Sequence, residues 1–406
     1  MSFSQGLSGL NSASQALDVV GNNIANSQTV GFKSGSIAFA DVFAGSQIGM
    51  GVQVAGVNQN FSDGVLGQGT SNLDMGISGN GFFRMVNEAG SVFYSRNGQF
   101  KSDENGYIIN NQGMYLTGYQ ATGTPPTIQA GAAIGPIQIP SGQMMASAST
   151  GGTMKGNLDS GSEAIVDIDF DPTDPKSYNS VTQVDAYDSQ GNKHTINVYY
   201  VKTGDNEWTA YSSDTTAPVL DADGNVQYQS TNLSFDAAGQ LQTNPARLNV
   251  QSAGYNGAEA LNFDLVLDGM TQQATDTAMD SPSTNGYAPG MMTGYVIGDS
   301  GEVIASYSNG EKQILGQVVL SSFTNPGGLQ SEGNNCWSET PQSGQPVNGI
   351  SGTGNLGTLY GNRLEASNVD LSQEMVNMIV YQRNYQSNSQ TIRTQSEILQ
   401  TLVNLG

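Results

Sequence analysis

Cysteine occurs once in the 406 residues, at Cys336, so no intrachain disulfide can staple any part of the fold. A body rich in Gly, Ser, Thr and Asn that carries no covalent lock is one that can be exported unfolded. Basic residues are scarce: 13 Lys plus Arg stand against 35 Asp plus Glu, and the net charge of -22 argues against nucleic acid and against anionic membranes. No stretch approaches the roughly 20 apolar residues of a membrane span. Met1 to Ile24 has neither a basic residue nor a continuous apolar core, so a cleaved secretory leader is not expected. Only 12% of residues are charged while Gly numbers 52, a balance that suits short strands joined by many turns.

What the chain does have, at both ends, is a seven-residue apolar repeat. Leu371, Met378, Tyr385, Ile392 and Leu399 recur every seventh position, flanked by Met375, Ile379, Leu402 and Val403, which predicts one long helix with an apolar stripe. Asp370 stands at its N-cap, Gln373 in the capping-box place and Glu374 near the positive end of the dipole. With no Gly or Pro from 365 to 405, the rod is about 50 Å long. Phe3, Leu10, Leu17 and Ile24 repeat the spacing at the N-terminus, with Leu7, Ala13 and Val20 beside them. Packing the two helices together brings the chain ends side by side and makes every other domain a nested insertion.

That seam is polar. Glu374, Asn388 and Gln395 fall between the apolar positions, and Gly6, Gly9 and Gly21 weaken the first helix by about 1 kcal/mol each relative to Ala. The pair is therefore expected to be marginal in a lone molecule and to order fully when identical neighbours cover its remaining apolar surface. An ordinary intramolecular helical hairpin is the plainer alternative. The residues expected to form the assembly interface are Phe3, Leu7, Leu10, Leu17, Val20, Ile24, Leu371, Met375, Met378, Tyr385, Ile392, Leu399 and Leu402.

Between the ends, Gly31 to Gly69 is rich in Gly, Ser and Gln and reads as an extended connector. From Leu73 onward a polar residue followed three positions later by Gly recurs between strand-like runs: Asn87 to Gly90, Asp103 to Gly106, Asp188 to Gly191, Asp221 to Gly224 and Asp236 to Gly239. Each predicts a hairpin turn, the side chain bonding the local backbone while Gly takes positive φ. Breaks near Pro125 to Gly152 and Asp280 to Pro289 separate two β domains. The expected fold is mainly β with terminal α-helices: a coiled-coil-like helical domain (1–30 and 365–406), an extended connector (31–70 and 352–364), an inner β domain (71–145 and 285–351) and an inserted outer one (146–284), both antiparallel.

Three motifs invite a chemical reading and fail it. Gly352-Thr-Gly354-Asn-Leu-Gly357 matches the dinucleotide fingerprint in letters, but Tyr360-Gly361-Asn362 follows instead of a helix, so it reads as a flexible connector. Asp167-Ile-Asp169-Phe-Asp171 opens like a calcium loop, yet Pro172 stands where Gly is required and Tyr178 where Glu is. Alternation of Val166, Ile168 and Phe170 with those acids predicts a surface strand. His194 is the single histidine, and no Gly-x-Ser-x-Gly elbow occurs. No catalytic, cofactor-binding or metal-ligating residue is assigned.

The ends also carry specific strings. Leu17-Asp-Val-Val-Gly-Asn-Asn-Ile-Ala-Asn26 with Thr29-Val-Gly-Phe-Lys33, and Leu364-Glu-Ala-Ser-Asn-Val-Asp-Leu371 with Gln382-Arg-Asn-Tyr385, resemble the terminal signatures of the bacterial flagellar rod and hook axial proteins. Phe39-Ala-Asp-Val-Phe-Ala-Gly45, Phe93 to Phe100, Leu116 to Pro126 and Leu315 to Leu320 are similar to the hook members. The resemblance implies a subunit exported unfolded through the flagellar type III apparatus that polymerises with itself into a curved tube, the flexible joint between rod and filament. It also implies contacts with rod, hook cap and hook–filament junction proteins, and an inner layer built from the terminal helices. A distal rod subunit, a β-rich surface adhesin or a phage tail-like protein are the competing readings.

Overall fold

The computed structural model describes residues 3–42, 49–123, 126–129, 131–140, 142–280 and 282–405, with the backbone alone for 402–405. Two helices frame the chain, α1 (Phe3–Ala25) and α2 (Leu371–Leu405). Asp370 caps α2 through its Oδ1, which accepts from the Ser372 N–H at 2.9 Å and the Gln373 N–H at 3.2 Å. Gln373 reaches forward to Asn377 instead of back to the cap, so the reciprocal capping box is not made.

Contacts divide the chain into two units. The first comprises Met1–Ser141, Gly294–Ala305 and Lys312–Gly406; the second is Gly142–Thr293 with Ser306–Glu311. In the first, the stretch expected as an extended connector forms a paired hairpin, β1 (Gly35–Asp41) and β2 (Val52–Gln59), antiparallel with an irregularity between Ala38 and Phe39. It lies on α1. Ser8 Oγ accepts from the Val52 N–H and Ser12 Oγ donates to the Val52 carbonyl, both at 3.3 Å. Asn23, buried in α1, brackets Gly35 by accepting from its N–H at 2.9 Å and donating to its carbonyl at 2.8 Å. The amide thus imitates a strand partner and turns the chain from helix into hairpin.

Beyond the hairpin come β3 (Leu66–Gln68), β4 (Met75–Ser78), β5 (Phe82–Val86), β6 (Val92–Ser95), β7 (Phe100–Ser102), β8 (Ile108–Asn110) and β9 (Tyr115–Thr122). β5 pairs with β6 and β9, and later strands return to them: Lys312–Val318 beside β9, Leu320–Ser322 beside β5 and Cys336–Ser338 beside β6. Phe82, Tyr94, Phe323 and Trp337 make the aromatic centre, in edge-to-face pairs. The Gly352 to Gly357 segment is followed by a strand, Thr358–Gly361, paired with β4, and Arg363–Glu365 pairs with β3. The return path is thus stitched to the outgoing one strand by strand.

The second unit is a sandwich. Ser180–Tyr187, Lys193–Gly204, Glu207–Asp214 and Gln229–Ser234 form one antiparallel sheet; Arg247–Gln251, Asn262–Gln273, Gly152–Asp159 and Ala278–Met279 form the other. Alternate residues of both face inward, Val184, Ile196, Val198, Tyr200 and Trp208 meeting Leu248, Val250, Phe263, Leu265 and Leu267. One pairing, Gly152–Asp159 with Asn262–Gln273, is parallel. All five polar-x-x-Gly turns form, with the glycines at φ between 75° (Gly239) and 85° (Gly224), the left-handed region.

The calcium-like segment is corrected by the structure. Asp167 to Phe170 is not a strand, and Val166 and Ile168 are exposed instead of inward-facing. Phe170 alone is seated, stacked on Tyr211 at 4.2 Å and edge-on to Tyr228. The aromatic anchor, not a ladder of hydrogen bonds, shapes this loop.

Candidate assembly interface

The helices meet through their small residues. The buried face of α1 is Gly6, Ser12, Ala13, Ala16, Val20 and Asn23. A Cβ at Gly9 would stand 2.7 Å from the Asn388 amide and one at Gly6 3.1 Å from Ile392 Cγ1, so these glycines allow the close approach that the sequence reading counted only as a cost. Their heptad neighbours take a different place. Val20 is buried and Leu10, Leu17 and Ile24 are half-buried, whereas Phe3 and Leu7 are exposed.

On α2 the asymmetry is stronger. Glu374, Asn377, Met378, Tyr381, Asn388, Thr391, Ile392 and Gln395 are half-buried, and among the described side chains of α2 none is buried. Leu371, Met375 and Leu399 stand out, with Tyr385 at 38% exposure, Val376 at 55% and Ile379 at 51%. The Leu402 side chain lies outside the described residues. Burying each such side chain is worth about 1.5–3 kcal/mol, so the structure leaves an apolar strip uncovered from Leu371 to Tyr385, and again at Leu399, on a helix whose half-buried face mixes polar residues with Met378, Tyr381 and Ile392. Phe39 of β1 touches that helix edge-on at Tyr381.

Beneath the helices lies a buried charge cluster that the sequence reading missed. Lys33 Nζ sits 2.6 Å from Glu365 Oε1 and Arg96 Nη1 3.2 Å from Glu365 Oε2, with all three side chains at 2% exposure or less. Glu365 Oε1 also accepts from the Gly64 N–H at 2.8 Å, and its carbonyl from the Gly31 N–H at 2.8 Å. Lys33 donates to the Ser62 carbonyl and Arg96 to that of Gly79. Burial, followed by the neighbouring Arg96 guanidinium, pushes the Lys33 ammonium below its usual range, and Glu365 opposes the shift. Removing one member of such a set strands a buried charge at a cost on the order of 3–5 kcal/mol. The available signal was partial: Lys33 and Arg96 are the lone charges of Thr29–Lys33 and Phe93–Phe100, whereas Glu365 shares its string with Asp370.

The second unit holds a comparable cluster. His194 is buried with Nδ1 at 2.5 Å from Asp214 and Nε2 at 3.5 Å from Asp188, both carboxylates being buried too. Asp188 was legible only as a turn residue. Among the described residues no three His, Cys, Asp or Glu side chains gather in a metal-holding arrangement. Cys336 is buried beside β6, and burial pushes its thiol up to about 11, away from reactive thiolate chemistry.

An uncovered helical strip, a stitched return path and an inserted β sandwich together describe an axial structural subunit, and the comparisons agree. Residues 5–33 match the description "Flagella basal body rod protein", 76–156 "Flagellar hook protein FlgE/F/G D1 domain", 157–287 "Flagellar basal body protein FlaE D2 domain" and 361–405 "Flagellar basal body rod FlgEFG protein C-terminal". The chain is 51% identical to the flagellar hook protein of Escherichia coli and 52% to that of Salmonella typhimurium, each over the whole of both chains. Against the Rhizobium meliloti hook protein it is 33% identical, over 98% of this chain and 97% of the other. A Helicobacter pylori hook protein structure shares the fold at a TM-score of 0.53 and 15% identity, over 74% of this chain and all of that one. The chain belongs to the flagellar hook protein family.

Proposed function

We propose that the chain polymerises with copies of itself into the curved tube of the hook, the flexible joint that carries torque from rod to filament. The family supports self-assembly in the hook and basal body; the observation that carries the molecular reading is the uncovered apolar strip of α2. In this reading Phe3, Leu7, Leu371, Met375, Tyr385 and Leu399 seat neighbouring helices in an inner layer. The half-interfaces are completed by assembly, so α1 and α2 order fully in the polymer. Rod, cap and hook–filament junction proteins are the expected end contacts, reached after type III export.

The test is electron microscopy of purified subunit after salt-induced polymerisation. Curved tubes are expected from the natural chain. Ile379→Asp, which places a charge on a half-exposed side chain of the strip, should leave the far-ultraviolet circular dichroism of the β body intact and abolish tubes. Unimpaired tubes from Ile379→Asp would remove the strip from the interface.

A further inference from the structure

The chain enters the second unit at Gly142 and leaves this long excursion at Thr293. A few polar side chains hold both ends of it. The Ser149 N–H donates to the Tyr187 carbonyl at 2.8 Å, while Ser149 Oγ accepts from the Tyr187 N–H at 2.9 Å and donates to Thr284 Oγ1 at 3.3 Å. Thr284 Oγ1 donates onward to the Asp185 carbonyl at 2.9 Å. Asn285 Oδ1 accepts from the Thr150 and Gly151 N–H groups at 2.8 and 3.1 Å, and Asn309 donates to the Ala288 carbonyl at 2.7 Å. The entering stretch 144–151 and the leaving stretch 283–291 are thus tied to each other and to the end of the strand Ser180–Tyr187. The turn that follows this strand presses on both. A Cβ at Gly191, φ +83°, would lie 2.4 Å from Pro289 Cδ and 2.9 Å from Ala146 Cβ. From beneath, the turn is fixed through Asp188, which faces His194, and His194 is held in turn by Asp214. Asp214 Oδ1 is itself anchored, accepting from the Thr216 N–H at 2.8 Å.

We propose that Ser149, Asp188, Gly191 and His194 are positioning residues of a rigid root: the 188–192 turn is a wedge that locks the entering and leaving stretches onto the sandwich. Two strands on their own make a ribbon that is marginal in water. Here the ribbon is backed by a sheet, and the bonds that hold it are closed to solvent. Ser149 is 3% exposed and Asp188, His194 and Asp214 no more than 1%, so water does not compete for their partners. Gly191 lets the turn approach where any side chain would hold it off. A unit rooted in this way follows the strands that carry it as one lever, and in the tube it passes load to its neighbours instead of fraying at its base. That mechanical step rests on the assembly reading. The root does not, since every one of these bonds lies within one unit of one chain.

Hydrogen exchange read by mass spectrometry on the free full-length subunit tests the root. Peptides covering 144–151 and 283–291 are expected to exchange at least about tenfold more slowly than the exposed turn 220–226. Exchange as fast as that turn overturns the proposal. In Gly191→Ala the root peptides should lose at least about tenfold in protection while 196–201 and 262–268 keep theirs. Adding Pro289→Ala, which removes the Cδ in the way, should return part of the loss. Loss without return would trace the effect to backbone strain at residue 191 and overturn the wedge. Where Gly191→Ala opens the whole sandwich, Ser149→Ala decides, because it deletes bonds without adding bulk: loss confined to the root peptides supports the proposal, and loss that is absent or spread through the sandwich overturns it. Tubes grown from Ser149→Ala should lose stiffness, read by electron microscopy as a shorter persistence length. Unchanged stiffness with a loosened root overturns the mechanical role. Failure of the natural chain to form tubes at all would count against the assembly reading and leave the root standing.

Discussion

Asp188 shows how a buried carboxylate becomes an acid-sensitive fastener. Burial works to raise its pKa, but the Asn192 side chain at 2.7 Å and the N–H groups of Asn192 and Gln190, both at 2.9 Å, outweigh it and hold the group below its ordinary 3.8. A depressed folded value means that the unfolded chain takes up the proton first as pH falls. The contribution of Asp188 is therefore complete above about 3.8 and is lost as pH drops through the lower, folded value. Melting of the sandwich unit followed from about pH 5 to about pH 2 should fall in that window, and Asp188→Asn should flatten the fall while lowering the plateau. An equal slope in both proteins would remove Asp188 from the acid response. The role of Asp188 as a turn residue was legible, because Gly191 stands three positions on; its contact with His194, which pairs in turn with Asp214, was not, because pairing across strands depends on register.

Among the helices, three glycines that look alike in sequence have different work. Gly9 faces the Asn388 amide and Gly6 faces Ile392, whereas nothing lies within 4 Å of a Cβ at Gly21. Gly21→Ala should therefore add about 1 kcal/mol of helix stability with no clash, lowering the critical concentration for tubes by up to about fivefold. Gly9→Leu should raise it at least about tenfold, since a branched side chain forces the helices apart. Sedimentation of polymer against free subunit measures both. Should Gly9→Leu assemble as readily as the natural chain, close approach at this crossing would be irrelevant. The connector teaches a related lesson: β1 and β2 are held on α1 by Ser8, Ser12 and Asn23, and hydrogen bonds to side chains leave no pattern in hydropathy.

For the molecule as a whole, the frontier between body and assembly surface in the proposed tube falls just outside Asn368 and Gly31. A fragment of residues 29–370 retains Lys33, Arg96 and Glu365 and is expected to be soluble, folded and monomeric by light scattering, with the β circular dichroism of the full chain and no tubes at any salt concentration. Loss of the β signal on this trimming would mean that the helices hold the body together. The sandwich of the second unit carries its own core of Trp208, Leu248, Phe263 and their neighbours, so its order does not depend on the trimmed ends.

Local information was enough for the heptads of Leu371 to Leu399, for the Asp370 cap and for every polar-x-x-Gly turn, because each is decided by residues within one or two turns of chain. It was also enough for the family, whose signatures are contiguous strings. Which helix face would be covered was a tertiary decision: burial is set by what a neighbouring surface presents, and α1 meets α2 at Gly6 and Gly9, while Phe3 and Leu7 stay exposed. The same holds for Lys33, Arg96 and Glu365. A charge in a sequence looks solvated until the fold removes the water and brings its counter-charge from hundreds of residues away.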